Sequence, residues 1–195
     1  LAIDQTIAAD DVDLAAGGAG STADINQSAV VTATTLDAIA TNGISLTAQN
    51  VVPTVTLNNT NAGNVTYNSD LATNGANTLT VSGTNTANAG TVSVTETTDG
   101  LTVAAAGIAS DAGAIVLTTT AAAQLMTLEG AVQSHQPTAS GANITLNADR
   151  MDLDGTGGSG SINAGTAGTV RLVSRTAADA IDLGSATDAA ANTLG

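Results

Sequence analysis

The chain of 195 residues has no Cys, Trp or Phe, a single Tyr at position 67, and 3 basic against 17 acidic residues, for a formal net charge of −14. Without cysteine it has no disulfide framework, thiol nucleophile or Cys-based zinc module, and one ring cannot form an aromatic platform for sugars or stacked bases. The acidic balance repels phosphate backbones and anionic headgroups, so neither nucleic acid nor membrane insertion is expected.

The remaining composition points to order rather than disorder. There are 39 Ala, 33 Thr, 21 Gly and 16 Asn, Lys is absent, and the only cations are Arg150, Arg171 and Arg175. With 43% apolar residues and a mean hydropathy of +0.22 the chain has material for a core. That core is built from Val, Ile, Leu and Ala, so close packing requires it to be narrow, and a narrow core predicts an elongated body.

In chain order, residues 1–42 are the least regular. Ile3, Ile7, Val12 and Leu14 precede a Gly-rich turn at Gly17–Gly20, and Ile25 and Val30-Val31 follow, which predicts irregular rungs or a cap. From residue 43 to 195 a short alternating run recurs after a Gly: Ile44-Ser45-Leu46, Val65-Thr66-Tyr67, Leu79-Thr80-Val81, Val92-Ser93-Val94, Ile115-Val116-Leu117, Ile144-Thr145-Leu146 and Val170-Arg171-Leu172. Period-two alternation predicts strands with one face buried. With Leu79 set aside as an intermediate strand, the first apolar positions are 21, 27, 23, 29 and 26 residues apart. A second set of runs lies between them: Val55-Thr56-Leu57, Leu101-Thr102-Val103, Met151-Asp152-Leu153 and Ile181-Asp182-Leu183. Helix is not expected even at the Ala-rich stretch from Ala121 to Gly130, because consecutive Thr and nearby Gly lower its propensity.

Two or three short strands per step, separated by Gly, Asn, Asp or Ser, predict an all-β fold, a parallel β-helix or β-solenoid of about eight rungs of roughly 25 residues, about 40 Å long. Stacking at about 4.8 Å aligns equivalent positions of successive rungs. The predicted outward column reads Ser45, Thr66, Thr80, Ser93, Val116, Thr145 and Arg171, where hydroxylated side chains suit a pleated surface and stacked like charges would repel. Gly and Asn at the corners are expected to supply positive φ angles. A thin core is expected to leave no room for Phe or Trp, and the −14 charge, mostly on turn Asp residues, to keep the rod soluble.

The segment Gly141-Ala142-Asn143-Ile144-Thr145-Leu146-Asn147-Ala148-Asp149-Arg150-Met151-Asp152-Leu153, followed by Ser161-Ile162-Asn163-Ala164-Gly165, Gly168-Thr169-Val170-Arg171-Leu172 and Ala180-Ile181-Asp182-Leu183-Gly184, resembles the repeats of filamentous-haemagglutinin-type secreted bacterial adhesins. Gly90–Gly107 is similar to the same repeat class, and the resemblance spans roughly residues 43–195. It implies a right-handed parallel β-helix, export across an outer membrane by a partner transporter, and a role in attachment or aggregation. The sequence starts at Leu1 without Met and shows no signal-peptide pattern, and the alternation at Asn192-Thr193-Leu194-Gly195 looks ready to enter another strand, so a segment of a longer chain is expected.

Catalytic candidates are few. His135 is the only histidine, in a Gln133-Ser134-His135-Gln136-Pro137 turn, which excludes a His-based metal cluster and favours a solvent-exposed turn residue. Asp149, Asp152 and Asp154 beside Arg150 form an acidic group. On a strand with Met151 and Leu153 inward, Asp152 and Asp154 would face out about 6.5–7 Å apart, near the separations used by glycosidases. Sugar-positioning rings are missing, so a solvated acidic turn is preferred over catalysis or calcium binding. The run Gly155-Thr156-Gly157-Gly158-Ser159-Gly160 lacks the Asp of calcium-binding repeats and reads as a corner turn. The pairs Thr32/Thr34, Thr54/Thr56 and Thr78/Thr80 are not expected to share one coil position, which argues against an ice-binding face.

The resulting expectation is a non-enzymatic structural or adhesive segment of an extracellular bacterial fibre, at the cell surface, that extends, presents and self-associates with fibre neighbours. It involves no catalytic, metal or cofactor residues. The alternatives are a filament subunit built from antiparallel β-sandwich domains and a polysaccharide-cleaving β-helix acting through Asp152 and Asp154.

Overall fold

Alternating aliphatic and hydroxylated residues give each strand a buried and a wet face, and a computed structural model of the chain stacks such strands into a parallel β-solenoid. The structure describes all residues except 19–20, 74, 76–77, 87–88, 136–139, 156–159, 177–179, 182–192 and 195. Among the described residues there is no helix, and Leu125–Leu128, inside the Ala-rich stretch, is a strand.

The first sheet has eight strands: Ala2–Ile3, Ile25–Gln27, Ile44–Asn50, Val65–Ser69, Val92–Glu96, Ile115–Thr119, Ile144–Asn147 and Val170–Val173. Each pairs in parallel with the next along the rod, and Ile44, Val65, Val92, Ile115, Ile144 and Val170 are successive register partners. Those are the positions whose spacing set the predicted rung. Seven steps of about 4.8 Å give a rod about 34 Å long, close to the expected length.

The second sheet runs in register through Asp11–Ala16, Thr35–Ala40, Thr54–Asn59, Thr78–Asn85, Gly100–Ser110, Leu125–Leu128 and Arg150–Asp152. Leu79 therefore begins no extra strand of the first sheet; it pairs with Leu101 in the second. Between Val81↔Val103 and Gly83↔Ile108 the pairing shifts, because Gly100–Ser110 carries a bulge there. Beyond the bulge, Ile108 stacks on Val132 and Val132 on Ile162. Gly83, at φ 150° with a would-be Cβ 2.0 Å from the Leu57 carbonyl oxygen, allows the strands to approach there. Among the described residues every strand pair is parallel, which rules out the antiparallel sandwich architecture for them. Within residues 2–40, Ala2–Ile3 and Ile25–Gln27 stack on the first sheet and Asp11–Ala16 and Thr35–Ala40 on the second, while Ile7–Ala8 and Val31–Thr32 form a separate two-stranded parallel sheet. Ile181 lies in a short parallel pair with Thr193–Leu194, while Asp182, Leu183 and most of Gly155–Gly160 lie outside the described residues.

The interior is a stack of aliphatic columns. Val12, Leu36, Val55, Val81, Val103 and Leu128 form one, each at most 7% exposed. Leu46, Tyr67, Val94, Leu117 and Leu146 form another, all fully buried. The one ring, Tyr67, is accommodated in the core: its neighbour toward the C-terminal side is the smaller Val94, and Ser69 occupies the corner beyond it.

Two further expectations change. Thr80 does not belong to the column of Ser45, Thr66, Ser93, Val116, Thr145 and Arg171, which runs along the first sheet. It belongs to a column on the second sheet in which Thr35, Thr54, Thr80, Thr102 and Thr127 are consecutive register partners. The threonine pairs themselves are out of register, as expected: Thr54/Thr56 aligns with Thr80/Ser82 rather than with Thr78/Thr80, and the adjacent outward column mixes Asp13, Asp37, Thr56 and Ser82. Left-handed backbone falls on glycines such as Gly43, Gly63 and Gly141 and on Ala89 and Ala123, and on no asparagine among the described residues. The asparagines act through their side chains instead.

Candidate functional site

The acidic group nearest to an active-site pattern resolves into separate structural tasks. Asp149 is 4% exposed. Its Oδ2 accepts the Ala123 N–H at 3.0 Å, and its Oδ1 accepts the Thr176 N–H at 3.0 Å and hydroxyl at 3.1 Å. Burial by itself raises a carboxyl pKa, but the bonds from Ala123 and Thr176 and the charge of Arg175 outweigh it and hold Asp149 below the ordinary 3.8. This carboxylate ties three rungs together at one corner.

Asp152 is half-buried on the strand Arg150–Asp152, with Met151 inward as expected, and its Oδ1 accepts the Gly155 N–H at 3.0 Å. Asp154 is exposed but sits in the bend that follows. The strand does not continue to residue 154, so the paired-carboxylate spacing drawn from strand geometry does not apply: Asp152 closes a turn and Asp154 leaves it. Arg150 is exposed. His135 follows the strand Ala131–Gln133 and is half-buried rather than solvent-exposed, because the preceding Ser134 is anchored in the core. The Ser134 hydroxyl accepts the Ala142 N–H at 3.0 Å and donates to the Ala142 carbonyl oxygen. Among the described residues no group of three or more His, Cys, Asp or Glu is placed to hold a metal ion.

Sequence reasoning missed the buried polar residues at the two corners. At the end of the second-sheet strands, Asn59, Asn85, Ser110 and Ser134 are each fully buried. Asn59 Oδ1 accepts the Gly43 N–H at 2.9 Å, and its Nδ2 donates to Ala62 O at 2.7 Å and to Asn85 Oδ1 at 3.0 Å. Asn85 Nδ2 donates to Thr91 O at 3.1 Å, and Ser110 Oγ accepts the Gly113 N–H at 3.0 Å. Each of these side chains satisfies the turn leading into the next first-sheet strand, where backbone groups would otherwise be buried without partners. One signal was available: a polar residue occupies the last inward position of an alternating run, as in Val55-Thr56-Leu57-Asn58-Asn59 and Val81-Ser82-Gly83-Thr84-Asn85.

At the other corner, Asn50, Ser69, Glu96 and Thr119 are fully buried register partners on consecutive rungs. Asn50 Oδ1 accepts the Val31 N–H at 3.0 Å, and its Nδ2 donates to Ala48 O at 2.9 Å and Asn68 O at 3.1 Å. Glu96 Oε1 accepts the Thr98 N–H at 2.9 Å and the Asp99 N–H at 3.1 Å.

The outer surface offers a shallow open concavity of about 470 Å³ on the second-sheet side, lined by Ala15, Gly17, Ile39, Thr41, Thr60 and Asn61. A neighbouring one of about 440 Å³ includes Asp13, Asp37 and Thr56. Ile39 is 50% exposed and belongs to both. No helix of the described residues is long and apolar enough to cross a membrane. No family model, curated protein or solved structure matches the chain.

Proposed function

We propose that the chain is a non-enzymatic structural and adhesive segment of an extracellular bacterial fibre, a rod that extends, presents neighbouring regions and associates with other fibre segments. The observation that carries this reading is the continuous parallel pairing of both sheets along the rod, interrupted only by local bulges, with small hydroxylated columns outside and aliphatic columns inside. Such a body spends its sequence on length, since each rung contacts only its neighbours and adding rungs extends the rod without a new core. The resemblance of residues 43–195 to filamentous-haemagglutinin-type repeats supports the same assignment. The chemistry of the acidic group supports it too: Asp149 and Asp152 are committed to backbone N–H groups rather than to a cleft. The face around Ile39 is the natural surface for contact with a neighbouring rod.

Labelling of intact producing cells with an antibody raised against the chain tests this assignment. Labelled surface fibres without permeabilisation are the expected result, and signal that appears only after permeabilisation would overturn it.

A further inference from the structure

The corner formed by Ser69, Glu96 and Thr119 holds a charge that the protein itself does not balance. Glu96 is fully buried, and its Oε2 has no hydrogen-bond partner. The hydroxyls of Ser69 and Thr119, register partners of Glu96 on the rungs to either side, are likewise buried and unpartnered. So is the hydroxyl of Tyr67, two residues before Ser69 on the same strand. Burial is the main reason its hydroxyl titrates well above the usual phenol range. The nearby Ser69 hydroxyl pulls the other way without completing a hydrogen bond, and the Glu96 charge adds to the rise. Four orphaned oxygens therefore belong to residues on three consecutive rungs stacked about 4.8 Å apart.

The opposite side of the Glu96 carboxylate is more acidic still. The Thr98 hydroxyl lies 3.1 Å from Glu96 Oε1, 3.2 Å from Asp70 Oδ1 and 3.1 Å from Asp99 Oδ2. One hydroxyl has one proton, so it can serve only one of three carboxylates. No cation of the chain is placed to help: Lys is absent, and Arg150, Arg171 and Arg175 are all exposed. A buried charge is stable when paired or when it coordinates a metal, and orphaned buried oxygens call for an unseen water or ion.

We propose that this corner binds one hard, oxygen-seeking cation of the sodium or calcium type, held by Glu96 Oε2 together with the hydroxyl oxygens of Tyr67, Ser69 and Thr119. An ion suits the site better than a water molecule because Glu96, Asp70 and Asp99 concentrate negative charge around Thr98, which a neutral molecule leaves uncompensated. Its occupancy clamps three consecutive rungs. The inference does not depend on what the rod does.

The test is thermal and denaturant unfolding of the whole chain in sodium chloride, in choline chloride of equal ionic strength, and in choline chloride with calcium or with a chelator. At a free concentration about ten times the dissociation constant, the binding cation raises the folding equilibrium constant roughly tenfold. The Glu96→Gln variant is expected to lose that dependence, and the choice between sodium and calcium follows from which salt acts. Equal stability in all media, or cation dependence that survives in Glu96→Gln, would overturn the proposal. Should Glu96→Gln not fold, a high-resolution crystal structure of the unaltered chain grown with the stabilising salt decides. Several oxygens closer to the occupant than a hydrogen bond of about 2.7 Å identify an ion, whereas ordinary hydrogen-bond distances identify a water molecule and refute the site.

Discussion

Asp149 links titration to stability. Its folded-state pKa lies below the ordinary 3.8, so its contribution is fully present above the unfolded-state value and is lost as pH falls through the folded one. The Asp149→Asn variant is expected to be less stable than the parent at pH 7 by about 1–3 kcal/mol, since charge-assisted bonds to Ala123 and Thr176 are weakened. In urea unfolding series the gap should narrow as pH drops below about 4; a constant gap would show that the carboxylate charge is not what matters. Asn59→Ala removes the acceptor of the Gly43 N–H and the donor to Ala62 and Asn85. It should cost roughly 1–3 kcal/mol by the same measurement, despite the small volume change. These inner polar residues were the least legible part of the sequence. Composition identified Asn as a corner residue, but a polar side chain in a turn reads the same whether it faces water or caps a buried loop. Only the register shows that Asn59, Asn85, Ser110 and Ser134 close successive turns. The acidic turn expected at Asp152 is present, but the alternative pairing of Asp152 with Asp154 fails because strand geometry does not extend past residue 152, where the Gly155 turn has already begun.

The strands were far more legible. Alternation is imposed by burial of one face, so the first apolar residue of each run marks the same coil position, and Ile44, Val65, Val92, Ile115, Ile144 and Val170 are indeed successive register partners. Thr80 went to the wrong column because both sheets alternate aliphatic and hydroxylated residues, and alternation alone does not say to which sheet a run belongs. The inward and outward assignment is tested on one strand. Leu146 is fully buried and Thr145, its neighbour, is not. Leu146→Asp buries an unpaired charge and should cost about 4 kcal/mol or more, while Thr145→Asp should leave the circular-dichroism melting curve nearly unchanged. At Gly63, φ is +86° and an added Cβ would lie 2.0 Å from the Asn42 carbonyl oxygen. Gly63→Ala should therefore lower the melting temperature, and an unchanged temperature would mean that the two turns do not approach as closely as described. One pairing runs against the general pattern: Asp13 and Asp37, both exposed, are register partners. Replacing Asp37 by Thr, as in the neighbouring rung at Thr56, should raise the melting temperature at low salt and have less effect at high salt, because screening removes the repulsion.

The molecule as a whole is a stack in which each rung is held by the rungs on either side, with aliphatic columns at the centre and polar residues bracing the corners. The absence of Phe and Trp, the scarcity of charge and the abundance of Thr and Ala fit that geometry: small side chains repeat in columns, and large or like-charged ones do so poorly. The proposed role in an extracellular fibre is most directly tested by X-ray fibre diffraction on oriented filaments isolated from producing cells and shown by antibody to contain the chain. The expected pattern is a reflection at about 4.8 Å on the meridian, with the strands of successive rungs crossing the fibre axis. A reflection of that spacing on the equator, or the chain's absence from any filament, would contradict it.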